Sequence, residues 1–241
     1  MANNPLIGAW ELVSDSRVAI VIFTGSHYAF VGAPKDRRRS AGNQATPDEA
    51  LEALNACPAL AGTYTVSGSR ITQIRVANTR PNLSGRPAVV DYTIDGDTLT
   101  STGVSGGAAA PGAVNTRRRL PDGGAGSPLI GAWEMVDDTE QGVIIFTGTH
   151  HAVVRMHKER DLPKGEQYTP EEALTALYTS GAQAGPYTLS GTTLTLERTA
   201  HLRPERVGEN AVLEVAVDGD TLKTRAVSGV SVSDVTWRRV S

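Results

Sequence analysis

The chain contains the same segment twice, at a constant offset. The stretches PLIGAWEL at Pro5 and PLIGAWEM at Pro128 lie 123 positions apart. The offset persists to Gly106 and Gly229, after which the first copy carries the extra stretch GAAAPGA. A period of this length exceeds that of a solenoid repeat, so each copy should form a domain with its own core. The offset is shared by the pairs Trp10/Trp133, His27/His150, Tyr64/Tyr187, Arg75/Arg198 and Asp95/Asp218.

Domain boundaries follow from the repeat and from one glycine-rich segment. The stretch PDGGAGS, residues 121–127, is too rich in glycine to hold a helix or a strand. We therefore predict a first domain over residues 4–120, a linker over 121–127 and a second domain over 128–241.

Charge and composition exclude several classes of function. With Lys+Arg 23 and Asp+Glu 26, the formal net charge is -3, which argues against a nucleic-acid partner. The basic stretches DRRRS (36–40) and TRRRL (116–120) are interpreted as solvated loops or strand ends. No apolar run approaches membrane-spanning length and nothing at the N-terminus resembles a secretion signal, so we expect neither a membrane span nor a signal peptide. The single cysteine, Cys57, allows neither an intramolecular disulfide nor a Cys-based zinc site. We expect a cytoplasmic monomer or small homo-oligomer that contacts no membrane.

Short β-branched runs separated by glycine, asparagine or aspartate predict an all-β fold. Each copy has eight candidate strands, which in the first copy begin near Ile7, Val18, Ser26, Gly62, Ser69, Arg86, Asp97 and Val114.

One segment of each copy is predicted to be helical instead. TPDEALEALNAC begins with Thr46 as N-cap, Pro47 in the first helical position and acidic residues in the first turn. TPEEALTALY repeats the pattern from Thr169. Each domain is thus expected to be a closed eight-stranded antiparallel barrel with one short helix between its third and fourth strands.

The two tryptophans carry a family resemblance. GAWEL at Gly8 and GAWEM at Gly131 resemble the glycine, any residue, tryptophan signature that begins the first strand of lipocalins and related calycin barrels, above all the bacterial lipocalin-like domains. The resemblance implies that Trp10 and Trp133 plug the closed ends of their barrels. It also implies that an arginine of the last strand, Arg119 or Arg239, packs over each ring.

Strand alternation suggests which residues face the lumen. His27, Ala29 and Val31 share the less polar face of their strand, as do His150 and Ala152, and this face is taken as the lumen side. General acid–base catalysis, or polarisation of a carbonyl, needs no more than a histidine, a tyrosine hydroxyl and an arginine. The candidate catalytic residues are His27, Tyr64 and Tyr92. The candidate ligand-binding residues are Arg75, Tyr28, Phe30, His150, Tyr187 and Arg198.

Other chemistries find little support in the sequence. His150 and His151 point to opposite faces of a strand, so a shared metal ion is not expected. VSGVS and VSGGA lack the strand-to-helix elbow of a serine nucleophile, and no glycine-rich phosphate loop occurs. We expect neither a metal nor a cofactor.

Three functions stay open at this stage, and the polar candidates in the lumen favour the first over the second. The first is cofactor-independent cyclisation or isomerisation of a flexible, largely hydrophobic substrate, as in natural-product metabolism, where similar small barrels serve as cyclases. The second is a non-catalytic carrier or sequestration protein for a hydrophobic metabolite. The third is a structural tandem whose barrels are filled with side chains. Because Tyr92 has Val215 as its counterpart, the first copy is predicted to hold the dominant ligand site.

Overall fold

A computed structural model describes residues 4–38, 42, 44–80, 83, 85–107, 110–123, 126–161, 163–165, 167–229 and 234–241. The chain is all-β, with two closed eight-stranded antiparallel barrels and one short helix in each half. The predicted fold class is confirmed.

In the first barrel each strand pairs with its neighbours in sequence, and the last strand closes on the first. The strands are β1 (Gly8–Leu12), β2 (Arg17–Phe23), β3 (His27–Pro34), β4 (Ala59–Ser67), β5 (Arg70–Asn78), β6 (Pro87–Asp95), β7 (Thr98–Ser105) and β8 (Val114–Arg119). Seven strands begin within one residue of the predicted positions. The exception is β4, which begins at Ala59 because the alanines after Pro58 pair with β3 although alanine has little β propensity.

The second barrel repeats this order with one interruption. Its strands are β9 (Gly131–Met135), β10 (Glu140–Phe146), β11 (His150–His157), β12 (Ser180–Ser190), β13 (Thr193–Glu197), β14 (Ala200–His201), β15 (Asn210–Asp218), β16 (Thr221–Ser228) and β17 (Asp234–Arg239). Because β13 and β14 both pair with β12, they form one broken strand equivalent to β5. A single-turn 3-10 helix, Pro204–Arg206, follows it.

The two helices begin where the sequence predicts. Helix α1 spans Pro47–Ala56 and helix α2 spans Pro170–Tyr178. The Thr46 hydroxyl accepts a hydrogen bond from the Glu49 backbone N–H, and the Glu49 carboxylate accepts one from the Thr46 N–H. This reciprocal capping box fixes the start of each helix, since Thr169 and Glu172 repeat it.

A tryptophan closes one end of each barrel. Trp10 is fully buried, its Nε1 donates to Leu6 O (2.8 Å), and the Arg119 guanidinium lies 4.0 Å from its ring centroid. Gly8 has a φ of 126°, and a Cβ there would lie 3.1 Å from Arg119 Nη1, so glycine is needed at this position. Trp133 and Arg239 are arranged in the same way, at 3.9 Å.

The barrels pack against each other through an alanine-rich face. One buried apolar cluster contains residues of both barrels and both helices, including Ala29, Val31, Ala152 and Val154. The expectation that these residues face the lumen is wrong. Their strands are apolar on both faces, because one face lines the barrel and the other packs on the second barrel.

Hydrogen bonds join the barrels in a nearly twofold manner. Arg37 donates to the carbonyl oxygens of His201 and Leu202, both at 2.6 Å. Arg160, its equivalent in the repeat, donates to Asn78 O at 2.7 Å. Since His201 is the equivalent of Asn78, the interface resembles that of a symmetric dimer built within one chain.

Candidate functional site: the lumen of the first barrel

The lumen of the first barrel contains a cavity of about 320 Å³. Its walls combine aliphatic and aromatic side chains with a few polar ones. We call the end of the barrel away from Trp10 the mouth. The apolar lining residues include Leu12, Val21, Phe23, Phe30, Leu60, Ile71, Val90 and Leu99. A cavity of this size and composition suits a small, largely apolar molecule.

Four arginines line this cavity and no carboxylate does, within the part of the chain that the structure describes. Arg17 Nη2 donates to Ala56 O (3.0 Å) and Arg80 Nη2 donates to Asn55 O (3.3 Å). Both therefore bind carbonyls at the C-terminal end of α1, where a helix favours positive charge.

Arg75 is 3% exposed and is held by backbone carbonyls. Its Nη1 donates to Leu83 O and Arg86 O, at 3.3 and 3.0 Å, and its Nη2 donates to Gly106 O. Its Nε has no hydrogen-bond partner among the described residues. Burial lowers the pKa of Arg75, which the neighbouring Tyr28 partly offsets.

Arg117 projects into the cavity from β8. Its position is set by the pairing of β8 with β1, where Arg119 lies opposite Trp10 and Arg117 lies opposite Leu12, on the same face. Its one hydrogen bond within the described residues runs from Nη1 to Ser101 Oγ (2.7 Å), and its Nε is buried without a partner. Burial lowers the pKa of Arg117 to about 10, so the guanidinium still carries its charge at neutral pH.

Tyr28 completes the polar part of the cavity. It is fully buried, and its hydroxyl has no hydrogen-bond partner in the described ranges. Burial raises its pKa, and the nearby Arg75 opposes that rise. The phenol is therefore neutral at physiological pH and available to donate a hydrogen bond.

The second barrel is filled where the first is open. Its lumen and mouth contain a cavity of about 100 Å³. Arg117 pairs with Leu12 in the first barrel, and Trp237 pairs with Met135, the equivalent of Leu12, in the second. An indole in the second barrel therefore occupies the place of the Arg117 guanidinium in the first. Leu196 likewise replaces Gln73 in the repeat. The two lumens therefore differ in both volume and polarity.

The buried arginine of the second barrel has partners that Arg75 lacks. Arg198 Nε donates to Gln183 Oε1 (2.8 Å), and its Nη1 lies 3.9 Å from Glu209 Oε2. Gln183 also lies against His151, whose pKa burial lowers to about 3. That histidine is therefore neutral at physiological pH. His151 Nδ1 and Arg198 Nη1 have no hydrogen-bond partner among the described residues, although Arg198 Nη1 lies near Glu209.

The predicted histidines lie outside both lumens. His27 is buried on the interface face of β3, where its Nε2 lies 3.4 Å from Glu134 Oε1 of the second barrel and its Nδ1 lies 2.8 Å from Ser26 Oγ. His150 contacts Thr149 Oγ1 (2.8 Å), and burial lowers its pKa. The structure therefore does not bring His27 together with the candidate tyrosines.

Those tyrosines lie at the closed end of their barrels rather than in the cavity. The Tyr64 hydroxyl donates to Thr24 O and accepts from Asn4 Nδ2 (2.8 Å). Tyr187 donates to Thr147 O (2.8 Å) in the same way. Tyr92 packs on the core cluster that contains Trp10 and Tyr64. Of the predicted site residues in the first copy, the cavity brings together Arg75, Tyr28 and Phe30.

Sequence reasoning missed Arg117. The stretch TRRRL was interpreted as solvated, yet an arginine over Trp10 places every second residue of β8 on the lumen side. Because side chains alternate between the two faces of a strand, placing Arg119 over Trp10 also places Arg117 on the lumen side, and this could have been predicted from the sequence.

In the described ranges, no three His, Cys, Asp or Glu side chains are grouped so as to hold a metal ion. Neither α1 nor α2, the α-helices of the described residues, has the length and apolar character needed to cross a membrane.

Comparison with known proteins gives no functional assignment. No protein family and no curated protein matches the chain. Similar solved structures include the DNA polymerase sliding clamp of Pseudomonas aeruginosa, at 8% identity and a TM-score of 0.15, covering 99% of this chain and 58% of the clamp. They also include the DNA polymerase III β subunit of Thermotoga maritima, at 10% identity and a TM-score of 0.16, covering 99% of this chain and 57% of that one. This chain thus spans less than two thirds of their length, and at these TM-scores the similarity has no bearing on function.

Proposed function

We propose that the first barrel binds a largely hydrophobic small molecule in its lumen and that the second barrel serves as its structural partner. The observation that carries this proposal is the difference between two copies of one repeat. The first keeps a cavity of about 320 Å³, whereas Trp237 and other large side chains leave about 100 Å³ in the second.

The apolar walls of the cavity supply the binding affinity, and its polar side chains supply hydrogen bonds. Removing a ligand's apolar surface from water contributes roughly 25 cal/mol per Å². Tyr28, Arg75 and Arg117 add polar donors to this apolar lining, so a ligand with a polar group can form hydrogen bonds inside the cavity. A carrier role of this kind also fits the resemblance to lipocalin-like domains.

A second candidate function, cofactor-independent cyclisation or isomerisation, is favoured by the same donors. A neutral phenol and two guanidinium groups inside an apolar cavity can polarise a substrate carbonyl. The walls can hold a flexible chain folded, which reduces the entropy lost on reaching the transition state. Incubating the recovered molecule with the protein distinguishes the two roles. A carrier leaves the molecule unchanged, whereas a cyclase converts it to an isomer.

Filling the cavity should abolish ligand binding. Ala88 is buried on the lumen side of β6, and in Ala88→Phe a phenyl ring occupies the space that the ligand needs. Native mass spectrometry of wild-type protein purified from its own host should show one small molecule per chain. The occupied fraction in Ala88→Phe should fall about 10-fold or more, a change of at least about 1.4 kcal/mol.

The matched control is Val89→Phe, at the next residue of β6, which does not line the cavity. It should keep the ligand. A wild-type protein that carries no small molecule, or an Ala88→Phe protein that binds as well as wild type while folded, would contradict the proposal.

A further inference from the structure

We propose that the end of the molecule where both barrels open binds the same end of a second copy of the chain, with the first barrel of each copy facing the second barrel of the other. The proposal concerns an interaction surface and does not depend on the ligand of the first barrel. The sequence left both a monomer and a small homo-oligomer open, and the distribution of charge at this end favours the oligomer.

Contacts between the barrels place both mouths at the same end of the molecule. Arg37, which follows the mouth end of β3, donates to the carbonyl oxygen of His201 beside the mouth of the second barrel. At the opposite end, His27 lies 3.4 Å from Glu134, next to Trp133. Because mouth residues meet mouth residues and closed ends meet closed ends, the two mouths form one face, which we call the mouth face.

The mouth face is positive at the first barrel and negative at the second. The segments that connect the strands at the first mouth contain six basic and two acidic residues, a net charge of +4, and their equivalents at the second contain four basic and eight acidic residues, a net charge of -4. All of these charged residues lie within the described ranges. The overall net charge of -3 conceals this separation. The segments compared are residues 13–17, 34–38, 79–87 and 104–114 with residues 136–140, 157–161, 202–210 and 227–234.

Three positions of the repeat produce most of this difference. The first copy has arginine where the second has an acidic residue, in the pairs Arg17/Glu140, Arg38/Asp161 and Arg86/Glu209. The residues at positions 38, 86, 161 and 209 are exposed, so their charges are available to a partner. The helices change the difference little, since each has two acidic residues in its first turn and α1 adds Glu52.

A face with this charge pattern is complementary to itself. Consider a twofold axis that lies in the mouth face, between the barrels, and runs across the line that joins them. It brings the first mouth of one copy over the second mouth of the other, so both halves of the isologous interface pair +4 with -4. A second copy of the chain therefore matches the pattern, whereas a uniformly charged partner would be repelled by one of the two mouths.

Exposed valines add an apolar component to the same face. Val13 and Val114 at the first mouth, and Val136 and Val227 at the second, are all more than half exposed. Burying them between two copies would remove apolar surface from water, which contributes about 25 cal/mol per Å². Charge complementarity would then select the orientation of the two copies, and apolar burial would stabilise the complex.

Sedimentation equilibrium of the full-length protein measures the association. We expect a monomer–dimer equilibrium whose dissociation constant rises about 10-fold or more between about 50 mM and about 500 mM NaCl, because salt screens exposed charges. The double variant Arg38→Asp/Arg86→Glu carries the acidic residues of the second copy and lowers the charge of the first mouth from +4 to 0. It should raise the dissociation constant at low salt by about 10-fold or more.

A second double variant, Asp161→Arg/Glu209→Arg, changes the charge of the second mouth from -4 to 0 and should weaken self-association in the same way. Mixing the two variants distinguishes lost charge complementarity from damage to the fold. In a mixed dimer, the unaltered second mouth of one variant faces the unaltered first mouth of the other. The mixture should therefore associate about 3-fold or more tightly than either variant alone.

The matched control is Arg118→Glu/Lys223→Glu, which changes the net charge by the same amount as Arg38→Asp/Arg86→Glu. Its two substitutions lie at exposed residues on the outer faces of β8 and β16. It should leave the dissociation constant unchanged. A wild-type protein that stays monomeric at low salt, a mouth variant that associates as tightly as the control, or a mixture no tighter than the separate variants would overturn the proposal. None of these outcomes concerns ligand binding, so the proposed function would stand.

Discussion

Replacing Trp10 with alanine is expected to lower the free energy of unfolding by about 3–5 kcal/mol, the range observed for large aromatic deletions in protein cores. Trp10 is fully buried, donates a hydrogen bond to Leu6 O and lies under Arg119. Truncation would remove the indole's contacts, leave Leu6 O without its partner and open the closed end of the barrel. Urea unfolding followed by circular dichroism measures the loss.

Arg119→Ala provides the comparison for Trp10→Ala. It removes the cation–π contact, worth roughly 0.5–2 kcal/mol, together with hydrogen bonds to Pro5 O and Ile7 O, but keeps the indole buried. Its effect should be smaller than that of Trp10→Ala. A loss below about 1 kcal/mol for Trp10→Ala would show that the tryptophan does not close the barrel.

A charge placed between the barrels should lower the free energy of unfolding by as much as Trp10→Ala does. Ala29 is fully buried in the apolar cluster that both barrels share. Ala29→Asp would bury a carboxylate with no partner, and we expect a loss of about 3–5 kcal/mol by urea unfolding. The expected cause is separation or distortion of the interface, because position 29 faces the second barrel and not the lumen.

Val13→Asp is the control for Ala29→Asp, because Val13 is 63% exposed. Its effect should stay within about 0.5 kcal/mol. If Ala29→Asp were as harmless as Val13→Asp, the two barrels would not share the packed face described above.

The sequence predicted the repeat, the strands and the helices well because each leaves a local signal. Thr46 and Glu49 specify the capping box by their own side chains, and glycines mark the turns. The orientation of β3 was predicted wrongly for a physical reason. Alternation identifies a core face when the other face is polar, but β3 buries Tyr28 and Phe30 inside the barrel and Ala29 and Val31 against the second barrel.

The site was predicted only in part because its lining depends on pairing between strands that are far apart in the sequence. Arg75 and Tyr28 were identified as candidates for ligand contacts, and both line the cavity. Arg117 was missed because a run of three arginines resembles a solvated segment, and pairing with β1 decides which of them enters the lumen. His27 was favoured for its chemistry, yet it shares the outward face of β3 with Ala29 and lies near Glu134 of the second barrel.

The central claim is that the ligand occupies the first barrel and not the second. A crystal of the protein with ω-bromodecanoate tests it directly, because the bromine atom gives an anomalous signal that locates the chain. We expect a single strong peak inside the first barrel, in the cavity lined by Phe30, Leu60 and Leu99. A peak in the second barrel beside Trp237, or no peak inside either barrel at saturating concentration, would contradict the account.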